Sequence, residues 1–200
     1  MALTQPDLGV LRKAQRGDER AFAVLVQAYE RPVYNYVVRL VGNRDLAEDL
    51  TQEVFLRVYQ GLPGFSLRSR FTTWLFQVTK NRVLDELRSL ERRPRATVAL
   101  DAIPPLEVVD QPFERTETID ALWRAVESLN VDLKMALLLR DVVGLSYAEI
   151  ADSLEVTLAT VKWRIFKARE EVAETLARDG ITAATATNTR GRAARASAAR

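Results

Sequence analysis

The chain has no cysteine and no histidine among its 200 residues. Without cysteine there is no disulfide framework, no thiol nucleophile, no iron–sulfur cluster and no zinc finger. Without histidine there is no Ser-His or Cys-His triad and no imidazole ligand for haem or zinc. Nothing in the sequence assigns a catalytic residue, a metal ligand or a cofactor. Absence of cysteine fits a reducing compartment. Long apolar runs are also missing, and no stretch approaches the roughly 18 residues of a membrane span. Residues 71–79 run nine positions without a charge and then meet Lys80. Residues 1–7 carry neither a basic segment nor an apolar one, so no signal peptide is expected. The expectation is a cytoplasmic protein without membrane insertion, of one domain or two small ones.

What is present is ordinary in amount and uneven in placement. Apolar residues make up 48% and charged residues 28%, with 29 basic against 27 acidic. Residues 66–93 hold seven Lys/Arg and three Asp/Glu, and residues 158–169 hold four cations and no acid. Residues 43–53 reverse the sign, with four acids and one arginine. Two basic patches and one acidic patch point to two anionic surfaces and a partner of another kind.

Nearly every periodic segment reads as helix, and no stretch alternates as a strand does. Asp18 caps a helix with Phe22, Leu25, Val26 and Tyr29 facing in. Pro32 is expected in the first turn of another, with Val33, Tyr36, Val37 and Leu40 inward. Asp45 opens a third helix to about Gln60, and a fourth runs from about Arg70 to Glu91 after a Pro/Gly loop. Residues 93–117 change character, with four of the seven prolines and five acids facing three arginines. Proline removes helix donors, so this stretch is expected to be a flexible linker. Helix resumes from residue 118 to about 178. The tail, 179–200, is rich in Ala, Thr and Arg and is expected to be disordered. The expected fold is therefore all-α, two small helical domains (1–92 and 118–178) joined by a Pro-rich linker.

Three constellations carry chemistry. Ser146, followed by Glu149, forms a capping box after Gly144, and Thr157 caps a further helix: a helix–turn–helix. In that last helix Val161, Ile165, Ala168 and Val172 fall within about 40° of one another. Trp163 and Phe166 then lie on the other side, flanked by Thr160, Lys162, Arg164 and Lys167. Apolar groups with cations suit a DNA major groove; the alternative is that Trp163 packs on a neighbour. In the second constellation Phe65, Phe71, Trp74 and Phe76 crowd around Arg68, Arg70, Lys80 and Arg82, with Gln77, Asn81, Leu84 and Arg88 on one helix face. Flat rings among cations suit unstacked single-stranded bases; the same rings at helical spacing also suit a core. In the third, Asp49, Gln52, Glu53 and Leu56 form one stripe opposite the apolar face of the acidic helix. It is either a docking face for a basic protein or a solvated one.

In this order the segments resemble bacterial sigma factors of the sigma-70 family, extracytoplasmic-function group. Residues 45–56 (DLAEDLTQEVFL) are similar to the family's polymerase-binding helix. Residues 71–76 (FTTWLF), with Asn81, Asp85 and Arg88, are similar to its promoter-melting, −10-reading helix. Residues 144–151 (GLSYAEIA) and 160–169 (TVKWRIFKAR) are similar to its −35-reading helix–turn–helix. The resemblance implies a non-enzymatic subunit that directs promoter-specific initiation. Its partners would be the β and β′ subunits of core RNA polymerase, promoter DNA and an anti-sigma factor. It implies core binding by Asp49, Gln52, Glu53 and Leu56. It implies −10 contacts by Phe65, Arg68, Arg70, Trp74, Gln77, Lys80, Asn81 and Arg88, and −35 contacts by Thr160, Lys162, Trp163, Arg164, Phe166 and Lys167. The family usually has a small polar residue where Trp163 stands. A stand-alone helix–turn–helix regulator is the alternative. An enzyme acting on nucleic acid through carboxylate-bound magnesium finds no D-x-D pair or Gly-rich phosphate cradle in support.

Overall fold

The computed structural model describes residues 3–92 and 117–181. Residues 93–116 of the expected linker, and 182–200 of the expected tail, lie outside the described residues. Among the described residues every regular element is helical: α1 (Leu8–Gln15), α2 (Glu19–Val41), α3 (Arg44–Gly61), α4 (Phe71–Arg92), α5 (Glu117–Glu127), α6 (Val131–Leu138), α7 (Tyr147–Leu154) and α8 (Leu158–Arg178).

Short polar side chains start these helices by accepting the first free backbone N–H groups. Asp7 caps α1, Asp18 caps α2, Asn43 caps α3 and Asn130 caps α6. Ser146 and Glu149 complete a reciprocal capping box on α7, and Thr157 caps α8. Helix α1 was not legible in the sequence, because only Leu11 and Ala14 of its eight residues are buried. Pro32 corrects another expectation. Helix α2 does not restart there but runs unbroken from Glu19 to Val41 with Pro32 inside it. An interior proline costs about 3 kcal/mol. Tyr29, Val33, Tyr36 and Val37, all buried on its inner face, hold the helix continuous across it.

Helices α1 to α4 form the first unit, with α2 against both α1 and α3 and α4 closing the bundle. Tyr36 meets Phe76 edge to face at 5.5 Å. Between α3 and α4 a 3₁₀ turn at Leu62–Gly64 leads into the loop. Gln15 holds that loop by donating from Nε2 to the carbonyls of Leu62 (3.1 Å) and Phe65 (2.8 Å). In the second unit α8 packs on α5, α6 and α7. Helix α6 passes into a π-helical turn, Leu139–Val143, ended by Gly144 at φ +85°, where a Cβ would be strained. The turn between α7 and α8 places Glu155 at φ +58°, a left-handed conformation that costs a non-glycine residue about 1 kcal/mol.

The two units, whose expected linker lies outside the described residues, pack on one another, chiefly α4 on α7, with α2 touching α6 and the π-helical turn. The Arg39 guanidinium lies 3.3 Å from the centre of the Trp123 ring. The buried Ser153 hydroxyl donates to the Thr73 carbonyl at 3.0 Å. Buried apolar side chains run without interruption from one unit into the other. This explains why α4 buries Thr72, Thr73, Thr79 and Lys80 as well as its apolar residues: it is covered on two sides.

Candidate nucleic-acid and protein interfaces

The acidic helix comes first in the chain. Ala47, Leu50, Val54 and Val58 of α3 are buried, which turns Asp49, Gln52, Glu53 and Leu56 outward. Leu56 is 61% exposed, an apolar side chain in a polar stripe. Glu53 is not independent of the fold. Its carboxylate accepts from Arg82 Nε, while Arg82 Nη2 pairs with Glu86 at 2.8 Å. The hydrogen bond from Arg82 holds the Glu53 carboxyl below the usual carboxylate range. Arg82 is buried and bolts α4 to α3. Sequence reading grouped Arg82 with the cations around the aromatics and gave no signal of this role.

In the loop and helix α4, the candidates part company. Phe65 is only 7% exposed. Its ring lies 4.9 Å from Trp74 and meets Phe71 edge to face at 6.0 Å. It therefore packs beneath the loop, and its ring offers no open face for a base. Arg68 and Arg70 are exposed, held out by a tight turn in which the Ser66 carbonyl accepts from the Ser69 N–H and hydroxyl. Asn81 and Arg88 are exposed, Trp74 and Gln77 half-buried. Lys80 is buried, and its Nζ lies 2.5 Å from a Glu155 carboxylate oxygen. Arg70 Nη1 lies 2.6 Å from Glu149 of the capping box.

Helix α8 is different. Val161, Ile165, Ala168 and Val172 are buried, while Trp163 is 60% and Phe166 66% exposed. Among the described residues Trp163 is open rather than buried against a neighbouring helix. Thr160 sits in the first turn, its N–H given to Thr157 Oγ1 and the two hydroxyls 2.7 Å apart. Lys162 is exposed. Arg164 donates to Asp132 of α6 at 2.7 Å with little of its side chain open. Lys167 pairs with Glu170 at 2.7 Å, which raises its ammonium above the usual lysine range. Tyr147 and Arg169, beside Phe166 in a shallow concavity, were not singled out from the sequence. Arg169 is engaged by Asp141 at 2.7 Å. Among the described residues no cluster of acidic residues could hold a metal ion, and no helix is long and apolar enough to cross a membrane.

A helix–turn–helix with aromatics on its outer face, an aromatic-basic helix and a separate exposed acidic stripe define a helical protein of the DNA-binding kind. The comparisons with known proteins are more specific. The family model Sigma-70 region 2 matches residues 25–93 and Sigma-70, region 4 matches residues 119–172. The RNA polymerase sigma-H factor of Pseudomonas aeruginosa is 33% identical over 88% of this chain and 96% of its own. The ECF RNA polymerase sigma-E factor of Escherichia coli is 35% identical over 83% and 92%. The sigma factor RpoE, solved with the anti-sigma factor NepR from Bartonella quintana, shares the fold at a TM-score of 0.67, with 21% identity, over 78% of this chain and 96% of that one. CnrH, solved with the cytosolic domain of CnrY, does so at 0.66, with 22% identity, over 85% and 96%. The chain belongs to the sigma-70 family of RNA polymerase sigma factors, in its extracytoplasmic-function group. It directs promoter-specific transcription. A stand-alone regulator is not favoured, since the match extends over residues 25–93, which such a regulator would leave without a role.

Proposed function

We propose that this sigma factor divides its work among three surfaces. Asp49, Gln52, Glu53 and Leu56 of α3 dock on the β and β′ subunits of core RNA polymerase. Residues 1–92 also carry the −10 surface. There Arg68, Arg70, Lys80 and Arg88 follow the phosphates of the melted strand, and Trp74, Gln77 and Asn81 meet its bases. Phe65 serves this surface from beneath by shaping the loop. Residues 118–178 read the −35 element. The positive N-terminal end of α8 brings Thr160 to a phosphate, Lys162 and Lys167 add charge, and Trp163 and Phe166 touch base edges and thymine methyl groups. Arg164 contributes by fixing α8 on α6. Residues 93–117 join the two and residues 179–200 lie outside this scheme. No step of this work is catalytic, and it takes place in the cytoplasm. An anti-sigma factor is a fitting regulator, since one protein of this fold was solved with such a partner.

The observation that carries this reading is the outward placement of Trp163 and Phe166 on a basic helix whose opposite stripe is fully packed. Run-off transcription with core polymerase on a promoter library tests it. The expected result is initiation from a shared pair of spaced elements, lost for the −35 half when Trp163 and Phe166 are replaced by alanine. Strong binding to duplex DNA without polymerase, and no transcription with it, would return the chain to the regulator alternative.

A further inference from the structure

The contacts between the two units are not spread at random over α4. The two ion pairs among them fall on two of the cations assigned above to the −10 strand. Lys80 Nζ is 2.5 Å from Glu155 and Arg70 Nη1 is 2.6 Å from Glu149, and both carboxylates come from the helix–turn–helix. Gln77, one of the amides on that face, is near enough to the same Glu155 to help lower its carboxyl. Ser153, between them in sequence, anchors the approach on the Thr73 carbonyl. A carboxylate on a lysine or an arginine offers the charge and the acceptor geometry of a phosphate oxygen.

We propose that Glu149 and Glu155 stand in for DNA phosphates on α4, so that the free protein is self-inhibited at its −10 surface while its −35 helix stays open. The inference rests on the reading of α4 as the −10 surface. Glu155 carries a further mark. It occupies the left-handed position of the turn, at φ +58°, where glycine would sit without strain. A glycine there would lose the contact to Lys80, so the acid is kept at a site that disfavours it. Lys80 and Arg70 in turn hold the two carboxyls below the usual range. For Glu155 the hydrogen bond and charge of Lys80 do this. For Glu149 burial works against it and is outweighed by hydrogen bonds from Ser146 and Arg70. The helix–turn–helix must then leave α4 before a strand can enter.

The test uses the full chain, whose lack of cysteine lets two labels be placed at will. Spin labels at Gln60→Cys on α3 and Ala173→Cys on α8, both exposed, report the separation of the units by pulsed electron resonance. Glu149→Gln keeps the capping box and Glu155→Gly relieves the turn, so the pair removes the charges without unfolding either unit; thermal melting checks this. The expected result is one narrow distance population in the parent and a broad, longer one in the double variant. A short fluorescent single-stranded DNA of random sequence should bind the double variant more tightly. If the closed form holds about nine-tenths of the parent, the gain is about tenfold. An unchanged distance distribution overturns the proposal. An opened distribution with no gain in DNA binding overturns the −10 reading of α4, and the phosphate-mimic role with it.

Discussion

Helices α4 and α8 have similar raw material, aromatics interleaved with cations at helical spacing, and the structure treats them oppositely. On α8 the rings at 163 and 166 stand in solvent. On the α4 side Phe65, Phe71 and Phe76 are inside and Trp74 is half-covered. Residue composition is therefore a poor guide to which aromatic reads a nucleic acid. What separates the two helices is where their neighbours lie, for each packs on three helices. Helix α8 keeps its three neighbours on its buried stripe and has an outer side that no described residue covers, whereas α4 is packed by α2 and α3 on one side and by α7 on another.

The comparison is broken most directly by removing one phenylalanine from each place. Phe65→Ala is expected to cost roughly 3–5 kcal/mol of stability, as for a buried ring. Phe166→Ala should shift stability by less than about 0.5 kcal/mol while lowering transcription from −35-dependent promoters. Paired denaturant melts read the first difference and run-off transcription the second. Equal stability losses would erase the distinction between the two helices. The next effect in size concerns α4 alone. Arg82→Ala leaves Glu53 and Glu86 without their common partner and is expected to cost up to about 3 kcal/mol. It should also weaken association with core polymerase, because Glu53 sits in the proposed docking stripe. Asp49→Arg with Leu56→Arg should abolish the same association and leave the melting midpoint unchanged, which separates docking from folding.

A finer contrast lies within α8. Arg164→Ala breaks the bond to Asp132 and should destabilise the second unit by about 1 kcal/mol. Lys162→Ala, with no described ion pair, should leave stability alone and lower the salt dependence of DNA binding by about one unit of slope. Salt titrations of a polymerase–promoter complex distinguish them. The smallest expected effect is with pH. The carboxyls of Glu53, Glu149 and Glu155 titrate below their ordinary values in the folded chain. Their contribution to stability is then complete above the ordinary glutamate range, near about 4.3, and is lost as pH falls through the lower folded values. Above that range the glutamine variants of these positions should lie below the parent in stability by a constant margin. Below it the margin should close, as followed by urea midpoints.

Within single helices, the sequence was a sufficient guide. Asp18, Ser146, Glu149 and Thr157 cap as their spacing predicts, and the buried stripe of α8 is the one its periodicity marks. The outward stripe of α3 follows in the same way. These features depend on backbone groups and side chains a few residues apart, and local geometry fixes them. Pro32 shows where that reasoning stops: its local cost is real, yet burial of the flanking face keeps α2 whole.

The amino-acid sequence by itself determined an all-helical chain, the helix–turn–helix, and the acidic and basic helices that mark a sigma factor. Only the tertiary structure decided that Phe65 lies under its loop, that Arg82 joins α4 to α3, that Arg164 is bound to Asp132, and that Lys80 meets Glu155. The physical reason is the range of the interactions. Caps and helical stripes act over three or four residues, whereas these pairs join residues up to 75 positions apart. Their partners are chosen by how helices pack, and no periodicity in the chain records that choice.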